Sequence, residues 1–284
     1  LHEMRLTMHP SDWQRLKDNY LDNFYYPADF QWRDIVVENI GIRSRGRGTR
    51  SDIKPSLRVD FNQFEDRQKF LGQKSLVLRN NIGDATMVHE RVAMALFRKM
   101  GLPASRESHT RLYLNDRYMG LFLVVESLDK LFLKNNFGED DGHLYSYENV
   151  EPYRFEDRGP DPAKYFPLPF KPETHEKDPD PAPLAAMIHA MSQASDANFP
   201  SAMAEYLDLK LFVKYLAVEM YMADFDGILG VTGLNNFYLY RFEKKNLHQF
   251  IAWDKDLTFD SPTRSVWKDA DGNVLVRRMM NVPE

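Results

Sequence analysis

The amino-acid sequence predicts an α+β protein of two lobes. The expected upper lobe, residues 1–125, contains antiparallel strands and one helix, and the expected lower lobe, residues 126–284, is mostly helical. Strand-like alternation separated by turn residues dominates the first part, whereas helical spacing of apolar residues dominates much of the last part. Between them, residues 151–200 are rich in proline, which is incompatible with long regular elements.

The composition excludes several classes of protein. The chain has 284 residues and a net charge of −5, which argues against nucleic acid as a bulk partner. It has no cysteine, so disulfide scaffolds, thiolate zinc sites and cysteine nucleophiles are excluded. No apolar run approaches the length of a membrane span, and no signal peptide is visible. The chain opens on Leu1 rather than Met, so a leader upstream of this sequence is not excluded and no compartment is assigned.

The upper lobe is predicted to contain a glycine- and arginine-rich loop between two strands. The elements indicated there are a helix after Pro10, a strand over 34–43, the loop over 44–51 and a strand over 57–61. Glycines at 46 and 48 let backbone N–H groups approach an anion, and Arg45 and its neighbours are planar donors suited to phosphate. Lys54 adds a further positive charge. This pattern predicts a phosphate-binding site for a nucleotide, with a solvated basic hairpin or a site for an anionic polymer as the alternatives.

A helix is predicted from Asp84 to Met100, with Asp84 as its cap. The residues expected to share its apolar stripe are Val88, Val92, Ala95 and Leu96. Glu90 lies off that stripe, yet its helical neighbours are apolar, so its carboxylate needs a cation. Lys54 is the expected partner, and a glutamate that reaches solvent at the helix edge is the alternative.

A hairpin and a proline-rich stretch follow. The hairpin strands are expected over 110–114 and 118–125, with Glu126 at the junction to a short helix. Residues 151–200 are expected to form a surface excursion that contains a helix over 183–195. This excursion is expected either to bind substrate or to cover a lobe.

Acidic and amide side chains cluster at the ends of core segments near the C-terminal part. They are Asp224 and Asp226 after a strong helix, Asn235 and Asn236 before a strand, and Asp254 and Asp256 after another strand. Burying carboxylates at such positions is costly unless something pairs with them. Mg²⁺ is a suitable partner, because it takes oxygen ligands from one or two carboxylates together with water and substrate phosphates. The pattern as a whole therefore predicts a phosphoryl-transfer site, although each residue taken singly is more typical of a turn or a solvated surface.

Several segments together resemble the CotH kinase family, the atypical protein kinases first known from bacterial spore coats. The matching segments are GIRSRGRGTRSDIKPSLRVDF, HERVAMALFRKMGLPA, RLYLNDRYMGLFLVVESLDKLFL, DFDGILGVTGLNNFYLY and AWDKDLTFD, in that order from Gly41 to Asp260. The resemblance implies a bilobal protein-kinase-like fold. It also implies an enzyme that uses ATP and Mg²⁺ or Mn²⁺ to phosphorylate Ser or Thr on a protein substrate.

The resemblance also implies roles for particular acids and amides. Asp226 resembles the acid of the catalytic loop, Asp254 the metal-binding aspartate and Asn236 the metal-binding amide. Asn236 lies ten positions after Asp226, wider than the spacing of ordinary kinases, and Asp224 stands where relatives often carry Asn. The chain ends at Glu284, before a last helical segment that such a lower lobe is expected to have.

Four further residues are assigned to the nucleotide by the same resemblance. Lys54 resembles the lysine that contacts the phosphates, with Arg45 in the loop ahead of it. Glu90 resembles the glutamate of the helix, and Glu126 occupies the position of the hinge glutamate.

Two other functions stay open at this point. Asp254 and Asp256 form a D-x-D pattern, which metal-dependent glycosyltransferases use, although the doubly wound alternation of a nucleotide-sugar domain is not seen. A non-catalytic coat or surface protein that binds an anionic partner is the second alternative. The protein substrate and the oligomeric state are not predicted, and a secreted, cell-surface or spore-coat location is an expectation from the resemblance alone.

Overall fold

The computed structural model describes residues 1–259 and 261–282, and the chain divides into two compact units. The first unit comprises Leu1–Arg91 and Ser105–Gly138, and the second comprises Val92–Ala104 and Glu139–Glu284. Residues 92–104, expected in the upper lobe, thus group with the second unit. Expectations that concern Asp260 or Glu284 lie outside the described residues. Within the described part of the chain, no helix is long and apolar enough to cross a membrane.

The first unit is a closed β-barrel of seven strands. Its strands are β1 His2–Thr7, β2 Tyr26–Trp32, β3 Ile35–Arg45, β4 Ser56–Asp60, β5 Ser75–Arg79, β6 Glu107–Leu114 and β7 Arg117–Glu126. They follow the order β1-β2-β3-β4-β5-β7-β6, and β1 pairs in parallel with β6, which joins the two ends of the sheet. Alternate residues of β2 are buried, as expected of a strand with one face in a core. Aromatic rings of Phe30, Phe61 and Phe70 pack together in that core, with centroids 4.9–5.4 Å apart.

The predicted bilobal kinase-like fold is wrong. The structure has a closed seven-stranded barrel and a separate four-stranded sheet instead of an open antiparallel upper sheet and a mostly helical lower lobe. The physical reason is β1, whose short apolar pattern was not assigned to a strand from the sequence. Because β1 hydrogen-bonds to β2 on one side and to β6 on the other, it removes both edges that an open sheet would present.

Seven helices are found among the described residues. They are α1 Pro10–Asp18, α2 His89–Lys99, α3 Lys130–Phe137, α4 Ala182–Gln193, α5 Phe199–Ala204, α6 Leu209–Tyr221 and α7 Val274–Met280. The carboxylate of Asp208 caps α6 by accepting the N–H of Leu211. The helix predicted from Asp84 is shorter and begins at His89, whose N–H the Asp84 carboxylate accepts.

The predicted apolar stripe of α2 is wrong for three of its four residues, and Leu96 alone of the four packs against the core. Val88 and Val92 are 42% and 49% exposed, and Ala95 is not among the residues that form the core. The buried residues of this helix are Glu90, Ala93, Met94 and Phe97. The apolar pattern indicates the wrong face of α2, because the buried face contains the charged residue Glu90. The partner of Glu90 is Arg79, which lies on β5.

The second unit contains a four-stranded antiparallel sheet and most of the helices. Its strands are β8 His143–Tyr147, β9 Phe170–Pro172, β10 Phe237–Arg241 and β11 His248–Ala252, in the order β11-β10-β8-β9. Residues 151–200 contribute β9, α4 and the start of α5 and many buried side chains, so this stretch forms core rather than running over the surface. Rings of Tyr215 on α6, Phe237 and Phe250 pack together and join helix to sheet.

Candidate active site

Two segments meet at one end of the β10–β11 hairpin. Phe237 at the start of β10 lies opposite Ala252 at the end of β11, so Asn236 and Asp254 lie just outside the same end of the pair. The N–H of Trp253 donates to the backbone carbonyl of Asn236 across 3.3 Å. Asn236 and Asp254 both adopt left-handed backbone conformations, with φ of 55° and 53°. Asn and Asp are the non-glycine residues that tolerate this region best, which fits these residue types at the end of a hairpin.

Asp226 joins this cluster through two amides. Its carboxylate accepts hydrogen bonds from the side-chain nitrogens of Asn235, at 2.9 Å, and Asn236, at 2.8 Å. The N–H of Asn235 also donates to the backbone carbonyl of Gly227, which closes the loop between them. The structure therefore brings Asp226 and Asn236 into direct contact despite their ten-residue separation.

Burial and neighbouring charges shift the pKa of Asp226. Burial raises the pKa of Asp226 above its ordinary value, and the charges of Asp224 and Asp254 raise it further. The hydrogen bond from Asn235 opposes this shift only in part. The charge effects place the carboxylates of Asp224 and Asp254 within electrostatic reach of Asp226. A carboxylate with a raised pKa is a better proton acceptor at neutral pH than an exposed one.

A buried ionic network lies next to these residues, and the sequence patterns above did not predict it. The ammonium of Lys255, which is fully buried, lies 2.5 Å from Glu219 Oε1 and 2.8 Å from Asp224 Oδ2. Glu219, on α6, also accepts the hydroxyl of Tyr215 at 2.7 Å and the N–H of Ile228 at 2.9 Å. Every member of the network has a partner, as buried charges require.

The charges in this network act on one another. Burial alone would lower the pKa of Lys255, but the carboxylates of Asp224 and Glu219 outweigh it, so its pKa is raised and the ammonium stays charged. Burial raises the pKa of Glu219, and the Lys255 ammonium opposes that shift without cancelling it. Lys255 therefore serves as the cation of a buried triad with two acids, and its side chain is not available to a ligand.

The first unit holds the four residues that the resemblance assigned to the nucleotide. Lys54 is half-buried, and its ammonium donates to the backbone carbonyls of Asn80, at 3.0 Å, and Leu121, at 2.8 Å. Burial lowers the pKa of Lys54. The expected pair between Lys54 and Glu90 is not formed. Glu90 is instead paired with Arg79 on β5, with 2.9 Å between Arg79 Nε and Glu90 Oε2.

Glu126 and Arg45 lie at the ends of barrel strands. Glu126 ends β7, and its buried carboxylate accepts two hydrogen bonds from the guanidinium of Arg106 and one from the Arg106 backbone N–H. Arg45 ends β3, where it pairs with Ser56 of β4. Arg50 lies in the loop between β3 and β4. Its guanidinium donates to the backbone carbonyls of Gly46, Tyr20 and Asp22, so this arginine of the basic loop has a structural role.

The donor atoms near Asp254 fit a cation that takes few protein ligands. Within residues 1–259 and 261–282, no group of three or more His, Asp or Glu side chains is arranged to hold a metal. One carboxylate, Asp254, and one amide, Asn236, lie at the same end of the hairpin. Such a set suits Mg²⁺, which is usually bound through one or two carboxylates and completes its shell with water and substrate phosphates. It does not suit an ion that needs a cage made by the protein alone.

Comparison with known proteins assigns the chain to a family. The family model described as CotH kinase protein matches residues 42–284, so the chain belongs to this family. It is also similar to the inner spore coat protein H of Bacillus subtilis (strain 168). The two sequences are 23% identical over 256 residues, which covers 90% of this chain and 68% of that protein.

The sequence contains a signal for the buried network. Tyr215 and Glu219 are four positions apart, on the same face of a helix whose other inward residues are apolar. A glutamate on such a face requires a buried cation, and Lys255 is the lysine that closely follows a buried strand. By contrast, no local pattern identified Arg79 and Arg106 as the partners of Glu90 and Glu126, since each pair joins separate elements.

Proposed function

We propose that the chain is a protein kinase that transfers the γ-phosphate of ATP to Ser or Thr of a protein substrate, with Mg²⁺ or Mn²⁺ as cofactor. The observation that carries the proposal is the hydrogen bond between Asn236 and Asp226. The side-chain nitrogen of Asn236 donates to the carboxylate of Asp226, which fixes the orientation of the amide. The amide oxygen is then the side-chain atom of Asn236 that can bind a cation beside Asp254. Membership of the CotH kinase protein family supports the same chemistry.

The residues of the second unit have distinct roles in this proposal. Asp254 and the amide oxygen of Asn236 hold the metal ion, which when bound offsets the charge that develops on the phosphates. Asp226 orients the acceptor hydroxyl and takes its proton, and its raised pKa supports that role. The two amides that bind Asp226 keep its carboxylate in one orientation.

The residues of the first unit are proposed to bind the nucleotide. Lys54 and Arg45 supply positive charge to the phosphates of ATP, and arginine is suited to such contacts because its planar guanidinium stays charged. Glu90 and Glu126 remain predicted nucleotide-site residues. The carboxylate of Glu90 pairs with Arg79, and that of Glu126 pairs with Arg106. We therefore expect each glutamate to contribute by positioning its arginine.

The test is phosphotransfer from radiolabelled ATP to a Ser/Thr-rich acceptor, with Mg²⁺ or Mn²⁺. We expect Asp254→Asn to abolish labelling, because the nearly isosteric amide removes the charge that holds the metal while the hairpin is retained. Asp196→Asn is the matched control, since Asp196 is a fully exposed acid of the same unit, and this variant should label as the wild type does. Undiminished labelling by Asp254→Asn would show that the assigned site is wrong.

A coat-associated, non-catalytic role is the second candidate. The name of the Bacillus subtilis relative, an inner spore coat protein, favours it and supports spore-coat association for this chain too. In that case the arginine-rich loop would bind an anionic partner, and neither ATP binding nor transfer would occur. Metal-dependent ATP binding measured by calorimetry separates the two candidates, because only the kinase requires it.

A glycosyltransferase is not supported as a further candidate. Lys255, the central residue of the D-x-D pattern, is fully buried in an ionic triad. In the described chain the strands pair antiparallel except for β1 with β6, so the parallel, doubly wound sheet of a nucleotide-sugar domain is missing.

A further inference from the structure

We propose that Lys255 is a positioning residue, which sets the placement of Asp254 relative to Asp226 by tying the end of β11 to the loop after α6. The inference rests on the proposed function, because it concerns the same acids. It adds a residue to which neither the predicted site nor the family assignment gives a role.

One end of this tie is the segment that carries Asp254. Lys255 directly follows Asp254, and its side chain extends into the core, where no part of it is exposed. Its ammonium is held by Glu219 at 2.5 Å and Asp224 at 2.8 Å. A side chain fixed at its tip by two charged hydrogen bonds restricts the backbone from which it starts. The peptide that carries Asp254 is therefore anchored to α6 and to the loop that follows it.

The other end of the tie is the loop that carries Asp226. The second oxygen of Asp224 accepts the N–H of Asp226 at 3.0 Å, and the second oxygen of Glu219 accepts the N–H of Ile228 at 2.9 Å. The two carboxylates that hold Lys255 thus also hold the backbone at Asp226 and two residues beyond it. One buried ammonium connects the peptide of Asp254 to the peptide of Asp226 through two carboxylates.

Stability alone is a weak explanation for this network. Removing three charges from water is costly, and apolar residues of similar volume often replace buried ion pairs with no loss of stability. Charged groups in the shell behind ligands orient those ligands, and altering them usually changes metal affinity or activity 10–100-fold. Orientation of two acids in separate segments is a task that an apolar core would not perform.

The informative variant is the double replacement Lys255→Met/Glu219→Gln. Lys255→Met alone would leave two buried carboxylates without a cation and would confound misfolding with loss of function. In the double variant, the amide oxygen introduced at position 219 remains an acceptor for the N–H of Ile228, and Asp224 keeps its bond to the N–H of Asp226. If this variant does not fold, the triple variant with Asp224→Asn, which carries no buried charge in the network, is measured in the same way.

Two measurements separate positioning from stability. The first is the dissociation constant for Mn²⁺ in the presence of ADP, followed by electron paramagnetic resonance. The second is kcat and KM for ATP in the labelling assay. We expect Mn²⁺ binding about 10–100-fold weaker and kcat lower by a similar factor, with KM for ATP changed less than about threefold. Met187→Ala, which empties part of the core under α4, is the control for lost stability and should change neither constant.

The outcomes decide between the two proposals. If the folded double variant keeps the Mn²⁺ affinity and kcat of Met187→Ala, Lys255 has no positioning role, whereas the kinase proposal is untouched. If the wild type binds Mn²⁺ with ADP but transfers no phosphate, the Mn²⁺ affinity of the double variant still decides the role of Lys255. If the wild type binds neither Mn²⁺ nor ADP, both proposals fail.

Discussion

Replacing Gly227 by alanine tests how tightly the buried network is packed. Gly227 has an ordinary backbone conformation, so alanine brings no strain of its own. A Cβ atom at this position would lie 2.5 Å from Asp224 Oδ2, 2.6 Å from Glu219 Oε2 and 2.9 Å from Glu219 Cδ. These atoms cannot easily retreat, because each carboxylate is held by Lys255 and by a backbone N–H.

The expected loss of stability follows from two terms. Forcing one extra methyl group into a packed core costs about 1–3 kcal/mol. Moving Glu219 away from the N–H of Ile228 weakens a hydrogen bond to a charged group, which contributes about 1.5–3 kcal/mol. The sum is about 3–6 kcal/mol, and at about 2–4 °C per kcal/mol the melting temperature should fall by about 6–24 °C.

Calorimetric melting of Gly227→Ala beside Gly272→Ala is the assay. Gly272 lies in the same unit, and its added Cβ would meet only ordinary contacts, the nearest being Arg154 Cδ at 3.4 Å. Hydrogen exchange at the amide of Ile228 provides a local readout and should accelerate only in Gly227→Ala. If the two variants melt together and the Ile228 amide keeps its protection, the close packing inferred around both carboxylates is refuted.

Two further predictions concern buried ionisable residues outside this network. Arg79→Met should destabilise the barrel by about 3–5 kcal/mol, because the buried carboxylate of Glu90 loses the guanidinium of Arg79. Urea unfolding measures this loss. The double variant Arg79→Met/Glu90→Leu should recover much of the lost stability. Burial, aided by the charge of Arg241, lowers the pKa of His248 to about 3 from 6.5, so the native state binds fewer protons than the unfolded state between these values. Stability should therefore fall as pH drops below 6.5, with His248 contributing up to about 1.4 kcal/mol per pH unit. His248→Gln should flatten that slope in unfolding curves from about pH 7 to about pH 4.5, and an unchanged slope would contradict the assignment.

Local patterns predicted the elements near the acids well. The helix ahead of Asp224 and the strands after Asn236 and before Asp254 lie where the sequence predicts them, because each is an apolar segment with clear boundary residues. The positions of Asp254 and Asn236 at strand ends followed from those boundaries. Their meeting at one end of a hairpin then required only the antiparallel pairing of two neighbouring strands.

Long-range pairing was not accessible in the same way. The closure of the barrel depends on β1 pairing with β6, and nothing within His2–Thr7 specifies a partner more than one hundred residues away. Lys255 is the middle residue of the D-x-D pattern, whereas its role depends on Glu219 and Asp224 on other segments. Spacing along the chain shows which face of an element a charged side chain occupies. It does not show which distant residue carries the opposite charge that pairs with it.

The parallel pairing of β1 with β6 also has a consequence for synthesis of the protein. Leu6 pairs with Leu114, so the seam between β1 and β6 forms only after more than one hundred further residues have been added. At about 5–20 residues per second, the first strand waits about 5–20 s with one side unpaired. An unpaired strand side can template association with another chain. The free side of β1 is thus exposed to association while the segment between these two strands is still being translated, and it becomes protected when β6 emerges.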